Sequence, residues 1–285
     1  MDLRKYLMPY GIELTGVLSL SDCTVKRPYL LERAGFDITD PSRISVCIFA
    51  IPYLTPAADA PDRNLSSYAV CEDYHVFVRE LAQALIPALQ ADFQSNRFAL
   101  FADHSPIGEV KAAIDAGLGV RGKNRLLLTE RYSSYVFLAE LVTDLSLTPT
   151  PSPLPPELRV CHACGKCTSA CPMSAEGGEC RSALTQKKSP LAPDEQHTLA
   201  HFSSVWGCDI CQEVCPYTAR ARARGTIYSP IPFFHQNVLP HLTVERLDGM
   251  NDEQFSRRAY AWRGRDTIRR NLEYHEHHTR FGKEN

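Results

Sequence analysis

The longest apolar stretch of the chain runs from Val46 to Leu54, and the overlapping β-rich run Ile44 to Pro52 (ISVCIFAIP) predicts a buried strand. Residues Asp73 to Phe93 carry apolar positions at helical spacing and predict an amphipathic helix. Phe98 to Ala102 predicts a second strand. Ile107 to Ala116 predicts a helix ended by Gly117, and Tyr135 to Val142 a third strand. Helices that alternate with buried strands predict a layered α/β or α+β domain over residues 1–147. A stretch with five prolines in ten residues, TPTPSPLPPE at 148–157, then reads as an extended linker. A cysteine-rich domain follows at 158–220, and residues 221–285 are expected to wrap back over it.

At 285 residues and 44% hydrophobic content, the chain has material for one large or two modest domains. The apolar stretch at Val46 is far too short to cross a bilayer. The N-terminus, MDLRKYLMPYGIEL, lacks the apolar core of a secretory signal. A cytoplasmic protein is expected, and without heptads a monomer. The formal charge of -2 does not advertise a nucleic-acid binder.

Eight of the eleven cysteines fall between residues 161 and 215. The first run is Cys161, Cys164, Cys167 and Cys171, followed by Pro172, at C-x2-C-x2-C-x3-C-P spacing. The second is Cys180, Cys208, Cys211 and Cys215, followed by Pro216. In bacterial two-cluster ferredoxins the fourth cysteine of each run ligates the other cluster. Cys161, Cys164, Cys167 and Cys215 are therefore assigned to one [4Fe–4S] cluster, and Cys180, Cys208, Cys211 and Cys171 to the other. The ferredoxin-like reading competes with two zinc sites, since C-x2-C pairs also bind zinc. Disulfides fit poorly with the local spacing and the missing export signal. Cys23 and Cys47 read as core residues.

Six arginines, Arg257, Arg258, Arg263, Arg265, Arg269 and Arg270, form a basic stretch near the C-terminus. Residues 251–285 hold eight Lys/Arg against six Asp/Glu, a net of +2. Either they line a solvated helix face or they contact phosphate, with Arg220, Arg222 and Arg224 extending the surface. The turn AGLGVRG (116–122) lacks the spacing of a dinucleotide fingerprint. It reads either as a helix end plus loop or as a close approach of backbone to a cofactor. His275, His277 and His278 read as a polar tail.

Several motifs then occur in one order: Tyr68 with Asp73-Tyr74-His75; Asp103-His104-Ser105-Pro106; Ala116-Gly117-Leu118-Gly119; Gly122-Lys123-Asn124; and Ser134 to Glu140 (SYVFLAE). Cys180 to Thr185 (CRSALT) and Gly207 to Gln212 (GCDICQ) complete the series. Over roughly residues 40–275 the chain resembles the epoxyqueuosine reductase family, which is related to the core of reductive dehalogenases. The resemblance implies an N-terminal cobalamin-binding domain holding base-off cobalamin. It also implies cluster-mediated delivery of electrons to cobalt, from an external donor such as flavodoxin or ferredoxin. The substrate it implies is an epoxide on a modified base in the tRNA anticodon stem-loop. Asp103 takes the place of the family's acid, and a carboxyl group partly removed from water holds its proton closer to neutrality. Asp103 also reads as a helix N-cap, since Asp followed by Ser-Pro opens helices well. Lys123, Asn124, Ser134 and Cys71 are the candidate cobalamin contacts.

The chain departs from the family at His104 and Ser105, where small residues are usual, and lacks the C-terminal helical repeats of longer members. Three other functions stay open on the sequence. A corrinoid reductase of a small molecule predicts no salt-dependent tRNA binding. An electron-transfer protein predicts clusters without corrinoid. A zinc scaffold predicts a colourless protein.

Overall fold

The computed structural model describes residues 3–149, 161–173 and 180–281, with no side chains described over 277–281. From residue 150 onward, the expected linker lies outside the described residues, as do the side chains of His277 and His278. Two compact units draw on separated parts of the chain. One comprises 1–53, 74–164 and 216–231, the other 54–73, 165–215 and 232–285. This division differs from the contiguous stretches 1–147, 158–220 and 221–285. Backbone pairing takes residues 54–73 out of the first unit: Leu65 bridges Trp206, and Glu72 bridges Arg258.

The first unit is built on a four-stranded antiparallel sheet in the order β1-β2-β6-β3. The strands are β1 (Leu14–Ser19), β2 (Ser45–Pro52), β3 (Phe98–Phe101) and β6 (Val136–Thr143). A two-stranded ribbon, β4 (Val120–Arg121) with β5 (Leu127–Leu128), stands apart. The three expected strands and both expected helices form. The antiparallel order makes the class α+β. Every residue of β2 is buried, as expected of a central strand covered on both faces.

Opposite residues of antiparallel strands share a face. The pairs Val46↔Val142 and Ile48↔Glu140 therefore put Glu140 on the same face as Val46 and Ile48. That face is covered by the helix Glu109–Asp115, whose Ala112 and Ala113 enter the same core. The helix Tyr74–Asp92 packs against β3 and buries Val76, Phe77, Leu81, Leu85 and Leu89. Gly117, at φ 75°, ends the short helix, with Leu118 N–H returning to Ala113 O.

The second unit is made of loops, short helices and one long helix, Arg265–Phe281. Lys166–Ser169 packs on Ile210–Glu213, and Pro193–Ala200 on Arg265–Phe281. Asn271, buried on the last of these helices, donates to Thr185 O at 2.7 Å and Val205 O at 2.9 Å. Among the described residues no helix is long and apolar enough to cross a membrane.

Candidate functional site

Strand β3 ends at Phe101, and the segment after it carries the acid motif. Asp103 is not a helix N-cap: that position belongs to Gly108, and the helix opens at Glu109. Asp103 instead adopts φ 61°, a left-handed conformation open chiefly to glycine, Asn and Asp. Its carboxylate is 75% exposed and lies 3.9 Å from His75 Nε2. Its amide donates to Glu109 Oε1 at 3.0 Å. The segment is fastened from Ser105 onward. Arg27 Nη1 donates to Ser105 O at 2.9 Å, Lys26 N to Pro106 O at 2.7 Å, and Gly108 N to Thr24 O at 2.9 Å. The buried Ser105 hydroxyl donates to Glu140 Oε1. His104 engages the Tyr29 hydroxyl at 2.9 Å.

Two carboxyl groups behind this loop were not singled out from sequence. Burial raises the Glu109 pKa to about 7, with the Asp103 charge adding to the rise and Arg27 and His75 opposing it. Glu140 is fully buried in the central sheet, and burial pushes its pKa well above the carboxylate range, with Glu109 adding to the rise. Its Oε2 has no hydrogen-bond partner among the described residues. A carboxyl raised in the fold is protonated there and ionised in the unfolded chain, so its stability contribution is present at low pH and is lost as pH rises above the unfolded value of 4.5. Glu140→Gln removes this loss. We expect the variant to gain on the native protein by about 1 kcal/mol per pH unit between about pH 5 and pH 7. Parallel thermal midpoints across that range would contradict a neutral Glu140.

The turn that follows explains its own glycines. A Cβ on Gly119 would stand 2.3 Å from Leu128 O, and one on Gly122 2.3 Å from Asn124 Oδ1. These residues serve the β4–β5 ribbon, so the helix-end reading of the turn holds. Lys123 is exposed, and Ser134 is buried next to Ser133, whose hydroxyl meets Thr218 Oγ1 at 2.8 Å. Asn124 keeps its Nδ2 buried without a hydrogen-bond partner among the described residues. The structure thus brings Asp103 and His75 together and leaves a polar donor at Asn124. Cys71, expected to face a cofactor, is enclosed in the second unit, its thiol directed at Tyr68 O at 3.7 Å. Burial pushes that thiol up to about 12, so it stays protonated and supplies no thiolate. Cys47 is a core residue in β2, as expected, whereas Cys23 is half-buried at the edge of the core, where burial raises its thiol to about 12.

In the second unit Cys208 and Cys211 flank Asp209, a buried carboxylate that collects donors from distant sequence. Ser66 Oγ donates at 2.6 Å, Ser67 N at 2.6 Å, Ser67 Oγ at 2.9 Å and Gln212 Nε2 at 3.1 Å. Arg63 Nη2 adds an ion pair at 3.2 Å. Gly207, at φ 72°, brings the loop so close that a Cβ would meet Ser66 Cβ at 2.5 Å. Cys180 and Cys211 lie near enough to Cys208 for their charges to act on it. Cys180 caps Arg181–Thr185, Cys167 sits in Lys166–Ser169, and Cys215 follows Ile210–Glu213.

Residues 33–104 match the family model of epoxyqueuosine reductase QueG, and residues 160–218 match the 4Fe-4S double cluster binding domain. The chain is 31% identical over 237 residues to the epoxyqueuosine reductase of Gloeobacter violaceus, covering 79% of this chain and 71% of that protein. The chain belongs to the epoxyqueuosine reductase family. The epoxyqueuosine reductase of Cyclobacterium marinum is 32% identical over 204 residues, 68% of this chain, and the alignment spans 61% of that relative's length. The fold matches a crystal structure of epoxyqueuosine reductase with a tRNA-Tyr epoxyqueuosine-modified stem loop. The TM-score is 0.71 at 24% identity, covering 97% of this chain and 80% of that one. The double-cluster match makes the cysteine-rich region of this epoxyqueuosine reductase family member an iron–sulfur domain, and the zinc alternative falls away.

The six arginines of the arginine-rich segment are half-buried, each engaged with a neighbouring group. Arg257 pairs with Glu72 at 2.5 Å, Arg265 with Asp252 at 3.2 Å, and Arg269 with Asp248. Arg258 donates to Asn237 O at 2.8 Å, Arg270 to Ser189 O at 3.3 Å, and Arg263 stacks over Trp262 at 3.8 Å. Arg224 is held by Glu130, its Nη2 donating to Glu130 O at 2.6 Å. The stretch that read either as a solvated helix face or as a phosphate surface is largely engaged in contacts within its own unit.

Proposed function

We propose that the chain is a cobalamin-dependent iron–sulfur reductase that converts epoxyqueuosine in tRNA to queuosine. The observation that carries this reading is one chain holding both a double-cluster domain and, at the end of β3, an exposed carboxylate in a left-handed backbone conformation. The net reaction takes two electrons and two protons, breaks both carbon–oxygen bonds of the epoxide, and yields the alkene and water. Bound cobalamin supplies the low-valent cobalt that reduces the epoxide carbon. The crossed cysteine sets, Cys161, Cys164, Cys167 with Cys215 and Cys180, Cys208, Cys211 with Cys171, hold the clusters that carry electrons from an external donor such as flavodoxin or ferredoxin.

This chain's own residues handle the proton. Asp103 protonates the departing oxygen, because an oxide or hydroxide leaves poorly without one. Its exposed carboxyl is free to meet substrate and to reload from water. The His75 ring stands 3.9 Å from the same carboxylate, on the rim of the site. Asn124 Nδ2 offers a donor to the amide carbonyls that fringe a corrin, with Ser134 and Lys123 close by in sequence. Burial of Cys71 argues for a packing role there instead.

The test is anaerobic purification, reconstitution with cobalamin, and incubation with tRNA carrying epoxyqueuosine under a low-potential reductant. Expected are about eight irons per chain, in line with two four-iron clusters, a base-off cobalt(II) resonance, and loss of one oxygen from the modified base. Iron without corrinoid binding would sink the reading in favour of electron transfer. One observation favours a second reading, a corrinoid reductase of a small-molecule epoxide or halide: the engagement of the arginines leaves few of them for phosphate. That reading predicts no salt-dependent tRNA affinity, and a salt-dependent affinity would remove it.

A further inference from the structure

We propose that Glu109 is a positioning residue that sets the conformation of the Asp103 segment and, through its own charge, how firmly that segment is held. The inference deepens the acid role proposed for Asp103 and rests on that reading for its catalytic meaning.

The argument starts from strain. A left-handed backbone at a residue with a Cβ is disfavoured and persists only where the surroundings hold it. Ser105 to Gly108 are fastened to residues 24–27 by four backbone and side-chain hydrogen bonds, and the His104 ring is tied to the Tyr29 hydroxyl, but neither tie reaches the Asp103 backbone. At Asp103 itself, Glu109 Oε1 accepts from the amide at 3.0 Å. His104 N–H closes a tight turn onto Ala102 O at 2.7 Å, which shapes the segment without anchoring it. Glu109 is well placed for this, because it opens a helix whose Ala112 and Ala113 are locked into the core.

Charge decides the strength of the hold. An amide bound to an ionised carboxylate makes a stronger hydrogen bond than one bound to a neutral carboxyl. The groups facing Glu109 are Asp103 from the loop, Arg27 from the segment beneath it, His75 from the helix Tyr74–Asp92, and Glu140 from β6. Burial outweighs the hydrogen bond from the Asp103 amide and the two cations, and places the Glu109 transition at about 7. The hold therefore strengthens as pH rises through neutrality and slackens below it.

Hydrogen exchange on the anaerobically purified holoprotein tests this, read on peptides that isolate the Asp103 amide. Protection is expected to be about fivefold greater near pH 8 than near pH 6 once intrinsic chemistry is divided out. Glu109→Gln keeps an acceptor of the same shape and should abolish that difference, staying at the low-pH level throughout. Glu109→Ala should lower protection at both values, and His75→Gln, which removes a cation that lowers the Glu109 pKa, should move the transition to higher pH without abolishing it. Retention of the pH-dependent protection in Glu109→Gln, or a flat profile in the native protein, overturns the assignment. In turnover, Glu109→Gln should lower kcat about tenfold, leave KM for tRNA unchanged, and flatten the pH profile near neutrality. The expected exchange pattern in a protein that fails to reduce epoxyqueuosine would refute the proposed function and leave the Glu109 assignment standing.

Discussion

Asp209→Ala is expected to destabilise the second unit by about 3–5 kcal/mol and to strip roughly half the iron from the chain. The size follows from what the carboxylate holds. Its two oxygens receive the Ser66 hydroxyl, the Ser67 amide and hydroxyl, the Gln212 amide and the Arg63 guanidinium, and its side chain is only 4% exposed. Alanine leaves these donors unsatisfied in a dry site, which costs more than the bonds contributed when made. Arg63 retains Glu213, so the cation is not wholly stranded. The loop is the casualty. Cys208 and Cys211 flank Asp209, and Gly207 presses against Ser66 because the carboxylate draws the two segments together. Asp209→Asn, which keeps Oδ1 as an acceptor for Ser66, should recover part of both losses. The measurements are iron per chain and the thermal midpoint after anaerobic purification. Full iron and an unchanged midpoint in Asp209→Ala would show that cluster assembly, not this network, orders the loop.

Much of the first unit was legible because apolar periodicity is a local signal. Ile44 to Pro52 became β2, and Asp73 to Phe93 became the helix Tyr74–Asp92. β1 was not singled out: it is short and interrupted by Gly16, which sits where a Cβ would meet Ala116 O at 2.7 Å. The antiparallel order and the discontinuous units depend on pairings far apart in sequence, and composition carries no trace of them. The cysteine spacing was legible because a cluster imposes its geometry on neighbouring residues. Asp209 was not, because its partners lie about 140 residues away. The arginine stretch misled for the same reason. A guanidinium reads as free until its partner is known, and Glu72 lies 185 residues before Arg257. Glu109 and Glu140 hid in plain composition. A Glu in a first helical turn usually faces water, and a Glu in an apolar strand reads as an outward position. What exposed them was the shared face of Ile48, Val142 and Glu140 beneath the helix that Glu109 opens.

Asp103→Asn should lower turnover of epoxyqueuosine by about a hundredfold to ten-thousandfold while leaving iron content and tRNA affinity at native levels. The choice of asparagine matters. Asp103 stands at φ 61°, and asparagine tolerates the left-handed region at least as well as aspartate. Its amide N–H still donates to Glu109, so the segment keeps its shape and loses only the acid. Alanine would confound the two, since it adds backbone strain to the loss of the carboxyl. With the acid gone, the departing oxygen must take its proton from water, and kcat falls with kcat/KM because the lost interaction belongs to the transition state. The pH profile gives an independent reading. A variant without the acid should lose the dependence that the carboxyl imposes, while any dependence from Glu109 near neutrality remains. Single-turnover assays on tRNA carrying epoxyqueuosine, with the metal centres reduced beforehand, separate proton delivery from electron delivery. Turnover within tenfold of native would remove Asp103 from the acid role. The exposed His75, 3.9 Å from the same carboxylate, is then the next group to test as the donor.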